Sequence, residues 1–268
     1  MERENPYKVG VAGFDQTFGL PMRVFVPPLL QAAKLREGMR VLDVATGTGI
    51  AAEAVVAAVG PYGQVVAIDA SQPMLDAARS RLASSPNVMF LLENSEAMTL
   101  PNASFDAVIC CMSLHVFNHE QKAASEFHRV LRGGGTVAVS VNTTPEDSLT
   151  GYIRVLIAKY VPERREEIEA WRQHQFRLGD AGSLRRTLET ADFKDVETFT
   201  ETRQIEYPSF DAYFDPIATG AGPWGVEFAK LPPAARQAIT DELRGRLEPA
   251  LGQPIRINVT IGFASGRK

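Results

Sequence analysis

Through the first half of the chain, short apolar runs alternate with stretches of helical periodicity. Residues 41–45 (VLDVA) read as a buried strand, 46–49 as a glycine turn, and 50–59 (IAAEAVVAAV) as a helix of small residues closed by Gly60 and Pro61. Residues 65–69 (VVAID) form the second expected strand. Ser71 and Pro73 then open a helix over 74–82, as a cap residue and an early proline do. Strands at 88–92 and 105–111 (FDAVICC) and a helix at 120–131 follow, and Gly133-Gly134-Gly135 turns into a fifth strand at 136–141. Strands and helices in alternation with short connections predict βαβ units and a parallel sheet, with right-handed crossovers placing helices on both faces.

The pattern changes after Asn142. Residues 145–176 read as helical and irregular, a helix resumes at 183–191 with Asp180 or Ser183 as its cap, and 196–207 alternates as a strand. The segment 208–252 is rich in Pro, Gly and aromatics and reads as irregular; 255–264 alternates again. Alternating strands at the end of a parallel sheet predict an antiparallel edge. The fold expected is therefore α/β: a Rossmann-like doubly wound sheet, mostly parallel, with an antiparallel C-terminal edge strand and an inserted cap. The organisation read from the chain is an N-terminal lid and helix (1–36), a core (37–142), a cap insertion (143–180), and completion of the sheet over 181–268 with a second cap insertion at about 208–252. Both irregular segments follow strand ends, on the side where such sheets bind ligands.

Composition narrows the function classes. The formal net charge of the 268 residues is -4, and Lys and Arg are scattered rather than clustered, with Arg164-Arg165 followed at once by Glu166-Glu167. That disfavours a nucleic-acid partner. The two cysteines, Cys110 and Cys111, are adjacent and form no disulfide framework. Residues 1–10 lack the apolar core of a signal peptide, and no apolar run is long enough to span a membrane. The expected location is the cytoplasm.

The glycine turn is chemically ambiguous by itself. Free N–H groups at a helix start suit a phosphate or a carboxylate. From Gly47 the string reads G-x-G-x-x-A, with Asp69 about 20 residues on, as in the dinucleotide fingerprint. Asp43, inside the first strand, suits a ligand with an ammonium group better than a pyrophosphate, because a buried carboxylate needs a partner. Asp69 ends the second strand, where an acid accepts hydrogen bonds from ribose hydroxyls or caps the next helix.

Four blocks then occur in one order: VLDVATGTG, VVAIDASQPML, ENSEAMTLPNASFDAVIC and FHRVLRGGGTVAVS. Together they resemble the class I S-adenosylmethionine (SAM)-dependent methyltransferases, and the subgroup they are most similar to is the small-molecule enzymes that include the ubiquinone/menaquinone C-methyltransferases. Ala45 stands where the family more often has glycine, and Asn94 where it often has Asp. The N-terminal AGFDQTFG resembles the lid of that subgroup, in which Phe14 or Phe18 covers the cofactor. The resemblance implies SAM as cofactor and S-adenosylhomocysteine (SAH) as product. It implies cofactor contacts from Phe14, Asp43, Ala45, Thr46, Gly47, Gly49, Asp69, Ala70, Met74, Asn94, Ser95 and Cys111. It also implies a small, largely apolar acceptor such as a quinone, phenol, polyketide or other natural product. The alternatives are an NAD(P)-dependent oxidoreductase and a non-catalytic SAM-binding module.

Methyl transfer from a sulfonium needs alignment and exclusion of water, and a base only if the acceptor must lose a proton. His115 is the candidate base, set against a structural role; with His119 it could share a helix face, but no further ligand completes a metal site. Aromatic residues of the second half, among them Trp171 and Trp224, are candidate pocket walls or ordinary core. An apolar cap also offers a homodimer surface.

Overall fold

The computed structural model describes residue 11 and residues 13–148, 150–250 and 252–268; the reading of residues 1–10 and Ala12 as the start of the lid lies outside them. A π-helical turn at Asp15–Gly19 leads into α1 (Leu20–Ala32). The core then runs β1 (Arg40–Val44), α2 (Ile50–Val59), β2 (Gln64–Asp69), α3 (Gln72–Arg81), β3 (Val88–Leu92), β4 (Phe105–Cys110), α4 (Glu120–Val130) and β5 (Leu131–Asn142). The remainder comprises α5 (Gly151–Tyr160), α6 (Arg165–Gln175), α7 (Ala181–Thr190), β6 (Lys194–Tyr207), α8 (Phe210–Ala218), α9 (Gly222–Ala229), α10 (Pro233–Leu247) and β7 (Ile255–Arg267).

The seven strands are ordered β3-β2-β1-β4-β5-β7-β6. The first five are parallel; β7 runs antiparallel between β5 and β6. The expected antiparallel edge is thus two strands wide, and the last strand in sequence lies inside β6. β1, bonded on both sides, buries Val41 to Val44, which is why its sequence is a continuous apolar run interrupted only by Asp43. Two apolar layers cover the two faces. One includes α1, α2, α5 and α8 to α10; the other includes α4 and α7. On α4, Ala123, Ala124, Phe127 and Val130 form the inward stripe. Cys110 and Cys111 fall on opposite faces, as successive strand residues do.

Two readings are corrected. The glycine triplet is not a turn before the fifth strand: β5 begins at Leu131 and absorbs it through a register shift against β4. There Gly135 is so close to the Arg132 and Asp106 carbonyls that a Cβ would meet each at 3.0 Å. Residues 208–252, expected to be irregular, carry three helices. Prolines of this segment stand at helix starts in α9 and α10, where no N–H is needed. The Ser209 hydroxyl caps α8 by accepting from Ala212 N–H at 3.1 Å, and Asp180 caps α7 through Ser183 N–H at 2.8 Å.

Phe127 is fully buried between α4 and the sheet. Phe127→Ala should cost about 3–5 kcal/mol of unfolding free energy in urea titration; a loss under about 1 kcal/mol would show that this face is not a close-packed core.

Candidate cofactor and acceptor site

β1, β2 and β4 end together, and the chain leaves β1 through a turn held in an unusual backbone conformation. Ala45 (φ 54), Gly47 (φ 56) and Gly49 (φ 84) are all left-handed. Glycine accepts this freely; Ala45 carries a strain of about 1–2 kcal/mol. Hydrogen bonds over-determine the turn. The Thr46 hydroxyl donates to Asp43 Oδ2 at 2.6 Å, Thr46 N–H to the Ile68 carbonyl at 2.9 Å, and Gly47 N–H to Asp69 Oδ2 at 2.9 Å. The other Asp69 oxygen accepts from Ser71 N–H at 2.9 Å. Gly49 is pressed onto α3: a Cβ there would stand 3.1 Å from that of Ala78.

Asp43 is 0% exposed, and its second oxygen, beside the Ala52 amide, makes no well-formed hydrogen bond among the described residues. Burial, with a smaller push from the Asp69 charge, drives its pKa up to about 7 against the pull of the Thr46 hydrogen bond. Burial also raises Asp69, opposed by the amides of Gly47, Ser71 and Ala70.

Beyond the turn opens a cavity of about 1030 Å³. Phe14, Ala45, Gly47, Asp69, Ala70, Met74, Asn94, Ser95, Cys111 and His115, all singled out from the sequence, line it. Asp43, Thr46 and Gly49 do not: they sit behind the wall and shape the turn. Nothing lies within 4 Å of where a Gly47 Cβ would project, so the backbone there is open to a ligand. Phe14 and Phe18 close one side, with ring centroids 4.8 Å apart. Their turn is latched to the core by Asp15, which accepts the Thr48 hydroxyl at 2.6 Å and pairs with Arg81.

The opposite wall comes from the cap. Trp171 and Phe176 project from α6 and the residue after it, and Trp224 from α9. The Arg154 guanidinium stands 4.5 Å from both indole centroids and pairs with Glu227 at 2.7 Å; Glu227 also takes Arg164 at 2.6 Å. This cluster locks α5, α6 and α9 together. Arg177 ties the cap to the core, donating to the carbonyls of His115 and Phe117, each at 2.8 Å. No motif pointed to Arg154 or Arg177, because isolated arginines in an unpatterned segment carry no spacing signal.

His115 lies in a short 3-10 turn after β4, 1% exposed, with Nε2 3.2 Å from Asn142 Nδ2. Burial, then the nearby Arg177 and His174, pushes its pKa down to about 3. That leaves the imidazole uncharged at neutral pH. His119 does not share a helix face with it: it is exposed at the start of α4. Burial pushes the Cys111 thiol up to about 12, so it is no nucleophile.

The sheet order, the left-handed turn after β1 and the acid ending β2 define a Rossmann-like α/β protein with its ligand chamber at the carboxyl ends of the strands. A family profile described as a methyltransferase domain matches residues 41–135. Demethylmenaquinone methyltransferase of Staphylococcus aureus (strain MRSA252) is 34% identical over 172 residues, covering 60% of this chain and 70% of that protein. The ubiquinone/menaquinone biosynthesis C-methyltransferase UbiE of Cupriavidus metallidurans is 31% identical over 185 residues, covering 65% of this chain and 74% of that protein. Among solved structures, the YcgJ protein of Bacillus subtilis shares the fold, with a TM-score of 0.58 at 21% identity, over 91% of this chain and 97% of that one. The chain belongs to the class I SAM-dependent methyltransferases, and its cofactor is SAM. The dinucleotide reading of the glycine turn is thereby set aside.

The unfolded Asp43 carboxyl loses its proton near 3.8 and the folded one at about 7, so between these values the folded state binds more protons and stability falls as pH rises. His115, at about 3 folded against 6.5 unfolded, has the opposite sign: the unfolded state binds more protons, and stability rises with pH. The difference between wild type and Asp43→Asn isolates the carboxylate. The variant should gain on the wild type from pH 4 to 7, by up to about 4 kcal/mol, in parallel urea titrations. Profiles that stay parallel would place the ionisation of Asp43 outside this window.

Proposed function

We propose that the enzyme methylates a small, largely apolar, planar acceptor of the quinol or phenol kind by in-line displacement. The observation that carries this reading is the single cavity, which runs from the glycine turn to the tryptophan-lined cap wall and is large enough for a cofactor and a second small ring side by side. The names of the two relatives, both quinone-pathway methyltransferases, support a ring of that class.

The residues present fit the cofactor. The open Gly47 backbone suits a carboxylate at the start of α2, and Asp69 suits a pair of ribose hydroxyls. Ala70, Met74, Asn94 and Ser95 form the proposed adenine wall, with Phe14 as cover and Cys111 near the transferring end. Asp43, Thr46 and Gly49 act through the turn they hold. SAM, when bound, supplies a methyl group already activated by its positive sulfur. The protein's task is to align the acceptor and keep water out, and the aromatic cap with its fixed indoles does both.

His115 is proposed as a neutral polar wall rather than a base, so the acceptor must already have lost its proton to solvent when the methyl group is transferred. Turnover of a series of phenols and quinols of graded acidity, followed as SAH release, tests this. The value of kcat/KM should rise with pH and level off at each acceptor's own ionisation. One inflection shared by all acceptors would put a base in the protein, and no transfer to any member of the series would overturn the acceptor class.

A further inference from the structure

The Arg154 side chain is buried, yet it reaches the cavity wall beside Trp171 and Trp224. Its guanidinium carbon stands 4.5 Å from each indole centroid, and the two ring centroids are 5.6 Å apart. Glu227 completes the arrangement, accepting from Nη2 at 2.7 Å and from Nε at 2.8 Å. Aromatic rings converging on one point, with a carboxylate beside them, are the makings of a site for an organic cation, because ring quadrupole and negative charge both attract an ammonium. Here the chain supplies the cation itself, from α5.

The cage is thereby closed to a ligand twice over: its space is taken, and the group that takes it is positive. The adjoining wall offers no open carboxylate in exchange. Both oxygens of Glu167 take Arg164, at 2.7 and 3.0 Å, and Arg164 also reaches Glu227 at 2.6 Å. Two arginines thus balance two glutamates, and what the cluster turns to the cavity is aromatic surface. Such a wall favours an uncharged ring over an amine, whose ammonium would lose hydration without gaining a partner.

We propose that Arg154 is a specificity-determining residue: it fills a cation cage built of Trp171, Trp224 and Glu227, and by filling it keeps amine acceptors out of the chamber and reserves it for uncharged rings. This rests on the reading of the cap end as the acceptor's half of the cavity. It adds to that reading the residue that sets the charge of the acceptor.

The chain's two tryptophans are the two indoles of the cage, so intrinsic fluorescence reports on it directly. With the full-length protein saturated with SAH, tetramethylammonium should cause no saturable change in wild type. In Arg154→Ala it should cause one in the millimolar range, with urea at equal concentration causing none. Calorimetric titration with 4-ethylphenol and with tyramine, the same ring without and with an ammonium tail, reads the consequence for acceptors. Wild type should bind 4-ethylphenol about tenfold more tightly, and Arg154→Ala should reverse the order. Arg154→Met fills the cage with an uncharged chain. It should bind SAH as wild type does, give no tetramethylammonium signal and narrow the preference to about threefold or less; it decides the matter if Arg154→Ala does not fold. An unchanged preference in Arg154→Met would overturn the proposal. So would an Arg154→Ala protein that binds SAH, gives no tetramethylammonium signal and weakens both ring probes equally, since Arg154 would then be a structural tie alone. Equal binding of the two rings by wild type would overturn the specificity role and leave the acceptor class standing. If SAH binds and neither ring does, the acceptor class fails and the specificity role with it.

Discussion

A carboxylate buried in the middle strand of the sheet takes the Thr46 hydroxyl at 2.6 Å, and one strand over Asp69 takes the Gly47 amide at 2.9 Å. Between them these two bonds hold three left-handed residues in a five-residue turn, one of them an alanine. Without that constraint, neither the start of α2 nor the end of β2 would present its polar groups to the same cavity. The energetic terms oppose each other: burial of Asp43 and the backbone of Ala45 are unfavourable by themselves. Close packing of Gly49 on α3 and the many apolar residues of β1 and β2 offset them. Strain concentrated where a ligand binds is a common feature of binding sites, and here it can be traced to named bonds.

The cap is held by a different kind of interaction. Arg154 is almost fully buried, yet it is satisfied on every side, by Glu227 in the plane and by two indoles on its faces. A charge in such a position tolerates little displacement, because losing one partner leaves the other uncompensated. The cluster therefore gives the cap wall of the cavity a fixed shape, although it is assembled from segments more than sixty residues apart. Arg177 then anchors this wall to the turn that carries His115. The core forms one side of the cavity and the cap the other, and the Arg177 guanidinium bonds across them.

The core was legible because its signals are local. Apolar runs, glycines at strand ends and cap residues each report on their own neighbourhood, and from β1 to β5 they agreed with the fold except at the glycine triplet, which β5 absorbs. Asp69, Gly47, Asn94 and Ser95 reached the cavity as their positions in the blocks implied. Asp43 and Thr46 did not, because a strand residue one pleat away from the ligand leaves the same trace in sequence as one that touches it. His115 was found as a residue, but its setting was not legible: a histidine's pKa follows from burial and from Arg177, which lies sixty-two residues away. The helices in 208–252 were hidden by a composition rich in Pro and Gly: prolines open α9 and α10, and one lies within α8. The pairing of Arg154 with two tryptophans from different helices is a purely tertiary fact that no spacing encodes.

The arrangement stands or falls on Asp69 and the turn it holds. Calorimetric titration of wild type and Asp69→Ala with SAH measures this directly. Wild type should bind one equivalent, and the variant should bind at least about tenfold more weakly, having lost a charged hydrogen-bond acceptor. Equal affinity in the two proteins would contradict the placement of the cofactor at the ends of β1 and β2.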